Sequence, residues 1–102
     1  MREGEIQAQI VRALKQLGIE HLRINSGKVK VRGAWMTLAP EGTADILVMP
    51  YKKLPIWLEC KTAVGKLSVE QVIFAARVGK LGHAVYIVRS LDDLEPLLKE
   101  MR

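Results

Sequence analysis

The sequence predicts an α/β domain in which a mixed central β-sheet is flanked by helices. Two observations predict this class. Short apolar runs typical of buried strands lie at 45–49, 56–61 and 84–88. A helix-start signal separates the last two runs, and a strand, a helix and a strand in this order form a right-handed parallel crossover. The chain has 102 residues, a length that fits one core, so residues 1–102 are expected to form a single domain.

The N-terminal segment is predicted to form an amphipathic helix over 3–17. Its apolar residues recur at helical spacing until Gly18 ends the pattern; they are Ile6, Ile10, Val11, Leu14 and Leu17. The segments "HLRIN" and "KVKVR" then alternate apolar and polar residues on either side of the turn-forming "NSGK", which predicts a β-hairpin with a basic polar face. A short third strand is expected at 35–38, followed by a loop through Pro40 and Gly42.

Alternation along "IWLECK" decides which of its side chains share a face. Trp57, Glu59 and Lys61 fall on one face, and Cys60 falls on the other, which we interpret as the core side. Trp57 is expected to pack under the first helix. Cys60 is interpreted as a small hydrophobic residue rather than a nucleophile.

The C-terminal half carries two helix-start signals. Ser68 followed by Gln71 is a capping-box signature, so a helix is predicted over 69–81. Ser90 is predicted to cap a last helical segment, with Pro96 near a helix start.

The charge distribution suggests a polyanionic partner. Sixteen Lys and Arg residues against eleven Asp and Glu residues give a net charge of +5. No acid lies between Glu20 and Glu41, and basic residues fill this gap and flank the charged strand ends. The candidate DNA-binding residues are Arg23, Lys28, Lys30, Arg32 and Lys66. Such a field suits a phosphodiester backbone, although a merely solvated surface would have a similar composition.

Composition also excludes several classes of protein. One cysteine and two histidines cannot form an internal disulfide or a structural zinc site, so a bound metal would be held by carboxylates. The chain has no apolar run long enough for a membrane helix and no signal-peptide core at its N-terminus, so a cytoplasmic protein without a membrane partner is expected.

Asp45 and Glu59 are the candidate ligands of a divalent metal ion. If their strands pair antiparallel, the Asp45 carboxylate comes to lie beside the end of the second strand. Mg²⁺ prefers oxygen ligands, and the backbone carbonyl of Cys60 could supply a third. Lys61 would then orient the attacking water or take its proton. The alternative is an ordinary ion pair between Glu59 and Lys61, since an E-x-K triplet is common.

Several motifs carry a family resemblance. "GTAD" at 42–45 followed by "ECK" at 59–61 resembles the split motif of the PD-(D/E)XK nuclease superfamily, with Ala44 in place of the usual proline. A closer resemblance is to the VRR-NUC (virus-type replication-repair nuclease) family, in its standalone phage-type members. The motifs that carry it, in order, are "RINSGK" at 23–28, "GTADILV", "LECKTAVGKLSVEQ" at 58–71 and "GHAVYIVRSLDDL" at 82–94.

The resemblance implies a restriction-endonuclease-like fold and a cofactor of Mg²⁺ or Mn²⁺. Asp45 and Glu59 match the metal-binding acids of the family, and Lys61 matches its catalytic lysine. Glu5 matches the acid of the N-terminal helix, which could complete the metal shell. Alternatively, Glu5 is only a favourable acid in the first turn of a helix.

Gln71 has two possible roles. It matches the motif glutamine of the family, which could contact the scissile phosphate or the water. It is equally the expected capping-box partner of Ser68. One side chain is expected to fill both roles only in alternation.

The resemblance therefore implies a metal-dependent, structure-selective DNA endonuclease, similar to enzymes that resolve four-way (Holliday) junctions. Symmetric cleavage of a junction needs two active sites, which predicts a homodimer. The expected dimer surface includes apolar residues in or beside the hairpin: Val29, Trp35, Met36 and Leu38. Trp35 could instead stack on an unpaired base. The alternatives are a non-catalytic nucleic-acid-binding module, a monomeric flap or duplex nickase, and a metal-free nuclease resembling RNA-splicing endonucleases.

Overall fold

The computed structural model describes residues 1–102, apart from the side chain of Thr37. Its helices and strands follow one another as α1 (Glu3–Gln16), β1 (His21–Arg23), β2 (Lys28–Val31), β3 (Ala34–Thr37), β4 (Ile46–Val48), β5 (Ile56–Cys60), α2 (Val69–Gly79), β6 (Ala84–Val88) and α3 (Leu98–Met101). Two short 3₁₀ helices, Leu91–Asp93 and Glu95–Leu97, join β6 to α3, and Pro96 lies in the first turn of the second, as the sequence predicts.

The main sheet is mixed and has the strand order β1-β4-β5-β6. Strand β4 is antiparallel to both β1 and β5, whereas β5 and β6 are parallel and joined through α2. The predicted α/β class, with a mixed sheet flanked by helices, is confirmed. Within the described residues, no helix combines the length and the apolar character that crossing a membrane would require.

The core lies between α1 and one face of the sheet. Alternate residues of β4 and β5 point to this face because successive strand side chains point to opposite faces. Helix α1 covers them with residues three or four positions apart, which share one helical face. The main contributors are Ile6, Ile10, Leu14, Ile46, Val48, Leu58 and Cys60. Leu94 and Met101 from the C-terminal segment complete this core, so Cys60 faces the core as predicted.

Helix α2 covers the opposite face of the sheet. The Trp57 ring meets the Phe74 ring of α2 edge to face, with 5.1 Å between ring centroids and an interplanar angle of 88°. The prediction that Trp57 packs under the first helix is therefore wrong. Alternation along β5 sends Trp57 to the face away from α1, and the crossover helix α2 lies on that face.

The prediction of a hairpin between "HLRIN" and "KVKVR" is also wrong. Strand β1 pairs with β4 in the main sheet, with Leu22 opposite Leu47, and β2 instead pairs with β3 in a separate two-stranded sheet. The turn between β2 and β3 contains Arg32 and Gly33, both with positive φ (51° and 81°). Two such residues match the right-handed twist of a two-stranded ribbon. The β2–β3 hairpin makes few contacts with the other elements.

Candidate active site

Asp45 lies immediately before β4, beside the end of β5. The antiparallel register places Ile46 opposite Leu58, and the Asp45 amide donates to the Leu58 carbonyl at 3.1 Å. The Cys60 amide in turn donates to Oδ2 of Asp45 at 2.7 Å. The backbone therefore holds the Asp45 carboxylate at the position the sequence predicts.

Glu59 is buried next to Asp45. Only 2% of the Glu59 surface is exposed, and its carboxyl lies within hydrogen-bonding reach of the Asp45 carboxyl. The pKa of Glu59 is raised from 4.5 to about 8, chiefly by burial and then by the hydrogen bond and negative charge of Asp45, against the opposing effect of the Lys61 ammonium. At neutral pH the Glu59 carboxyl therefore holds a proton.

Gln71 connects this carboxyl pair to the start of α2. The side-chain Oε1 of Gln71 accepts from the backbone amide of Ser68 at 2.8 Å, and the backbone amide of Gln71 donates to Oγ of Ser68 at 3.2 Å. These two bonds complete the predicted capping box. The side-chain Nε2 of Gln71 donates to Oε2 of Glu59 at 3.2 Å. The two ends of the Gln71 side-chain amide therefore act at the same time, one in the helix cap and the other on Glu59.

Lys61 follows β5 and is almost buried, with 7% of its surface exposed. Its amide donates to the Val88 carbonyl at 3.1 Å, and its Nζ lies 4.0 Å from Oε2 of Glu3. Lys61 thus faces two acids, Glu59 near the end of β5 and Glu3 in the first turn of α1.

The α1 acid near the site is Glu3 and not Glu5. The Glu5 carboxylate is exposed and accepts from the Arg2 amide at 3.3 Å as part of a helix cap. The Glu3 charge reaches the site and contributes to the raised pKa of Glu59. Sequence reasoning missed Glu3 although its spacing could have found it, because Glu3 and Ile6 lie three residues apart on the side of α1 that faces the sheet.

The loop before Asp45 is fixed against α2 by Gly42. This residue has a φ of +87°, and a Cβ added there would lie 2.3 Å from the backbone oxygen of Glu70. Only glycine accepts both the left-handed backbone and this close approach. The loop that leads into Asp45 is thereby held against the first turn of α2, which also contains Gln71.

The loop after Lys61 is held by Arg89, which sequence reasoning also missed. Its Nη1 donates to the carbonyls of Thr62 and Gly65 at 2.6 and 2.8 Å, and its amide donates to Oδ2 of Asp93 at 2.8 Å. No sequence pattern marks this interaction, because both acceptors of the guanidinium are backbone atoms. Arg89 thus connects the end of β6 to the segment that carries Lys61.

The donors at this site fit a hard divalent cation. The Cys60 carbonyl points to the same side of β5 as its amide, toward Asp45, because both groups of a strand residue face the same neighbour. Two carboxylates and one carbonyl suit Mg²⁺, which usually binds one or two carboxylates and keeps several waters. Among the described residues, no cluster combines three or more His, Cys, Asp or Glu side chains suited to a metal, so this set depends on the backbone oxygen.

The predicted DNA-binding residues lie in three places. Lys28, Lys30 and Arg32 are exposed in the β2–β3 hairpin and its turn, and Lys66 is exposed in the loop after Lys61. Arg23 ends β1 and lies close enough for its charge to act on the Cys60 thiol. The pKa of this thiol is nevertheless raised to about 12, chiefly by burial and then by the carboxylates of Asp45 and Glu59, which disfavours the reactive thiolate.

Comparisons with protein-family models, curated proteins and solved structures found no match for this chain. Its function is therefore inferred from the geometry and chemistry of the site.

Proposed function

We propose that the protein is a divalent-metal-dependent endonuclease that hydrolyses phosphodiester bonds in DNA, with a PD-(D/E)XK fold of the VRR-NUC type. One observation carries this proposal. The carboxyls of Asp45 and Glu59, the nearly buried Lys61 and the amide of Gln71 meet at one end of β4 and β5. Burying a carboxyl pair beside an ammonium costs folding free energy, which suggests that these groups are kept for function. Metal-assisted hydrolysis needs groups of these kinds.

Each residue has a distinct role in the proposed reaction. Asp45 and Glu59, with the Cys60 carbonyl, would hold Mg²⁺ or Mn²⁺. A bound divalent ion supplies charge neutralisation at the phosphate and lowers the pKa of water. The Lys61 ammonium would donate to a phosphate oxygen or orient the attacking water. Gln71 fixes the direction of the Glu59 carboxyl through its 3.2 Å hydrogen bond.

Basic residues outside the site would bring the polyanion to a pair of carboxylates that repels it. Lys28, Lys30 and Arg32 project from the hairpin into solvent, and Lys66 lies five residues beyond Lys61 in the adjoining loop. Contacts of this kind bind phosphates without regard to base sequence and weaken as salt concentration rises. Recognition through phosphates favours a substrate defined by its shape, such as branched DNA.

Cleavage assays test the proposal directly. Labelled four-way junction, flap, single-stranded and duplex DNA are incubated with the protein and either Mg²⁺, Mn²⁺ or EDTA. Cleavage is expected only with metal, and Asp45→Ala, Glu59→Ala and Lys61→Ala should each abolish it while DNA binding persists. Lys80→Ala, which removes an exposed lysine of the C-terminal cap of α2, is the matched control and should retain activity.

Three results would contradict the proposal. Cleavage in EDTA would exclude the metal, and full activity of any one site variant would remove that residue from the mechanism. Binding without cleavage of any substrate would favour the non-catalytic nucleic-acid-binding module.

We further propose a homodimer, supported by an uncovered apolar face of the hairpin. Val29 and Met36 are cross-strand partners on this face, with 39% and 51% of their surfaces exposed, and Val31 shares it. Trp35 pairs with Lys30 on the opposite face, so it cannot join the same interface. Sedimentation at micromolar concentration tests the proposal. A mass near 11.4 kDa would leave a monomeric nickase of flap or duplex DNA.

A further inference from the structure

The β2–β3 hairpin has two chemically different faces. Cross-strand partners lie on the same face of an antiparallel ladder, and neighbours along a strand lie on opposite faces. The register places Lys30 opposite Trp35 and Val29 opposite Met36. Lys28 therefore joins Lys30 and Trp35 on one face, which we name the Lys–Trp face, and the apolar partners occupy the other.

Trp35 is unusual for a tryptophan because 68% of its surface is exposed. Tryptophan contributes a large apolar area that is normally buried. Trp57 behaves in this way, because its ring packs against Phe74. Among the described side chains, no aromatic ring or cation stacks on Trp35, so its largely exposed indole ring is available to a ligand.

We infer that the Lys–Trp face binds unpaired bases of DNA, with Trp35 stacking on a base and Lys28 and Lys30 contacting the flanking phosphates. This inference rests on the proposed function for its choice of DNA as the ligand. Stacking on an aromatic side chain changes affinity by about 5- to 150-fold for each base and accepts any base, because every base has a π-face.

Stacking selects for unpaired nucleotides. The bases of an intact duplex are stacked on one another and offer no free face to an indole ring, whereas flaps, single strands and open branch points do. The Lys–Trp face therefore gives the proposed nuclease a preference for DNA that contains unpaired nucleotides.

The charge of this face excludes a second copy of the chain as its occupant. A two-fold symmetric contact brings the same patch of both copies together, so Lys28 and Lys30 would oppose their own counterparts. No acid between Glu20 and Glu41 could compensate them. A polyanion is the complementary ligand, and the apolar face of the hairpin is left for the proposed dimer.

Binding measurements in EDTA test the inference without any cleavage. Fluorescence anisotropy compares a labelled duplex with the same duplex carrying a single-stranded flap. Trp35→Ala should weaken flap binding by about 5- to 150-fold and change duplex binding less than about twofold. Trp35→Phe should retain most of the flap affinity, because phenylalanine also stacks.

The lysines should behave differently from the tryptophan. The double variant Lys28→Ala with Lys30→Ala should weaken binding of both DNAs and reduce the slope of log affinity against log salt by up to about two. Circular dichroism should show unchanged melting for every hairpin variant, since these side chains are exposed.

Specific results would overturn the inference. Equal losses on flap and duplex in Trp35→Ala would show that Trp35 does not read unpaired bases, and no loss on either would show that it does not contact DNA. Conversion of a dimer to a monomer by Trp35→Ala would show that this face is a protein interface. Metal-dependent cleavage can succeed or fail independently, because the preference is measured in EDTA. If the preference is present and cleavage is absent, only the proposed nuclease activity fails.

Discussion

Glu59→Gln should stabilise the folded protein at alkaline pH even though it removes a proposed metal ligand. Glu59 is buried beside the Asp45 carboxyl, and ionising it places a second negative charge in the same site. Glutamine has the size of the protonated acid and remains neutral. Its oxygen can still accept from Nε2 of Gln71, as Glu59 does, and its amide nitrogen can donate to Asp45.

The expected gain follows from the pKa of Glu59, which rises from 4.5 to about 8 on folding. Between these values the folded chain holds a proton that the unfolded chain has lost, so the free energy of unfolding falls as pH rises and stays low above about pH 8. One pKa unit corresponds to about 1.4 kcal/mol. The rise from 4.5 to about 8 therefore limits the loss of unfolding free energy to about 5 kcal/mol. Local relaxation and entry of water reduce it, and we expect a gain of about 1–3 kcal/mol for the variant.

Thermal unfolding followed by circular dichroism in EDTA measures this gain. The variant and the wild type should melt at similar temperatures near about pH 5, and the variant should melt at least about 4 °C higher near about pH 9. Adding Mg²⁺ should raise the melting temperature of the wild type and leave the variant unchanged. Glu20→Gln, at an exposed glutamate, is the control and should show no such pH dependence. A variant that is less stable than the wild type at alkaline pH, or a difference independent of pH, would refute the reasoning.

Three further perturbations test the supporting contacts. Gly42→Ala should lower the free energy of unfolding by about 2–4 kcal/mol more than Gly27→Ala in denaturant titrations, because both residues have a positive φ (87° and 86°) but only at Gly42 would a Cβ meet backbone within 4 Å; equal losses would deny the contact with α2. Arg89→Ala should lower the cleavage rate by at least about tenfold with little change in DNA affinity, and Arg89→Lys should restore part of it; a change in affinity alone would exclude a positioning role. Cys60 should resist iodoacetamide until the protein is unfolded in denaturant, because its thiol is buried and its pKa is about 12; rapid alkylation of the folded chain would contradict this.

Elements whose signals are local could be predicted from the sequence. The apolar spacing of α1 and the capping box of Ser68 and Gln71 each gave a helix at the correct place. Strand partners could not be predicted in the same way. Alternation identifies β1 as a strand but says nothing about its neighbour, and a short turn suggested β2. The observed pairing with β4 buries Ile46 and Val48 in the central sheet, and this long-range packing outweighs the nearby turn.

Only part of the candidate site could be predicted, because some of its residues depend on long-range packing. Asp45 and Glu59 follow from one assumption, the antiparallel pairing of two apolar strands, which the structure contains. Choosing Glu3 over Glu5 requires the rotation of α1 on the sheet, which depends on packing. The Arg89 guanidinium donates to the backbone carbonyls of Thr62 and Gly65. Every residue has a backbone carbonyl, so the sequence does not show which residues accept these bonds.

The raised pKa of Glu59 explains how a fold of this size tolerates the buried acids of the site. Glu59 holds a proton at neutral pH, so the buried site avoids a second negative charge beside Asp45, and the Lys61 ammonium lies near both Glu59 and Glu3. Replacing that proton by a divalent ion would add one positive charge to the site, which would favour binding of a phosphate. Because a protonated carboxyl is much less costly to bury than an ionised one, the proton that permits folding without metal is also the group that a bound metal ion would replace.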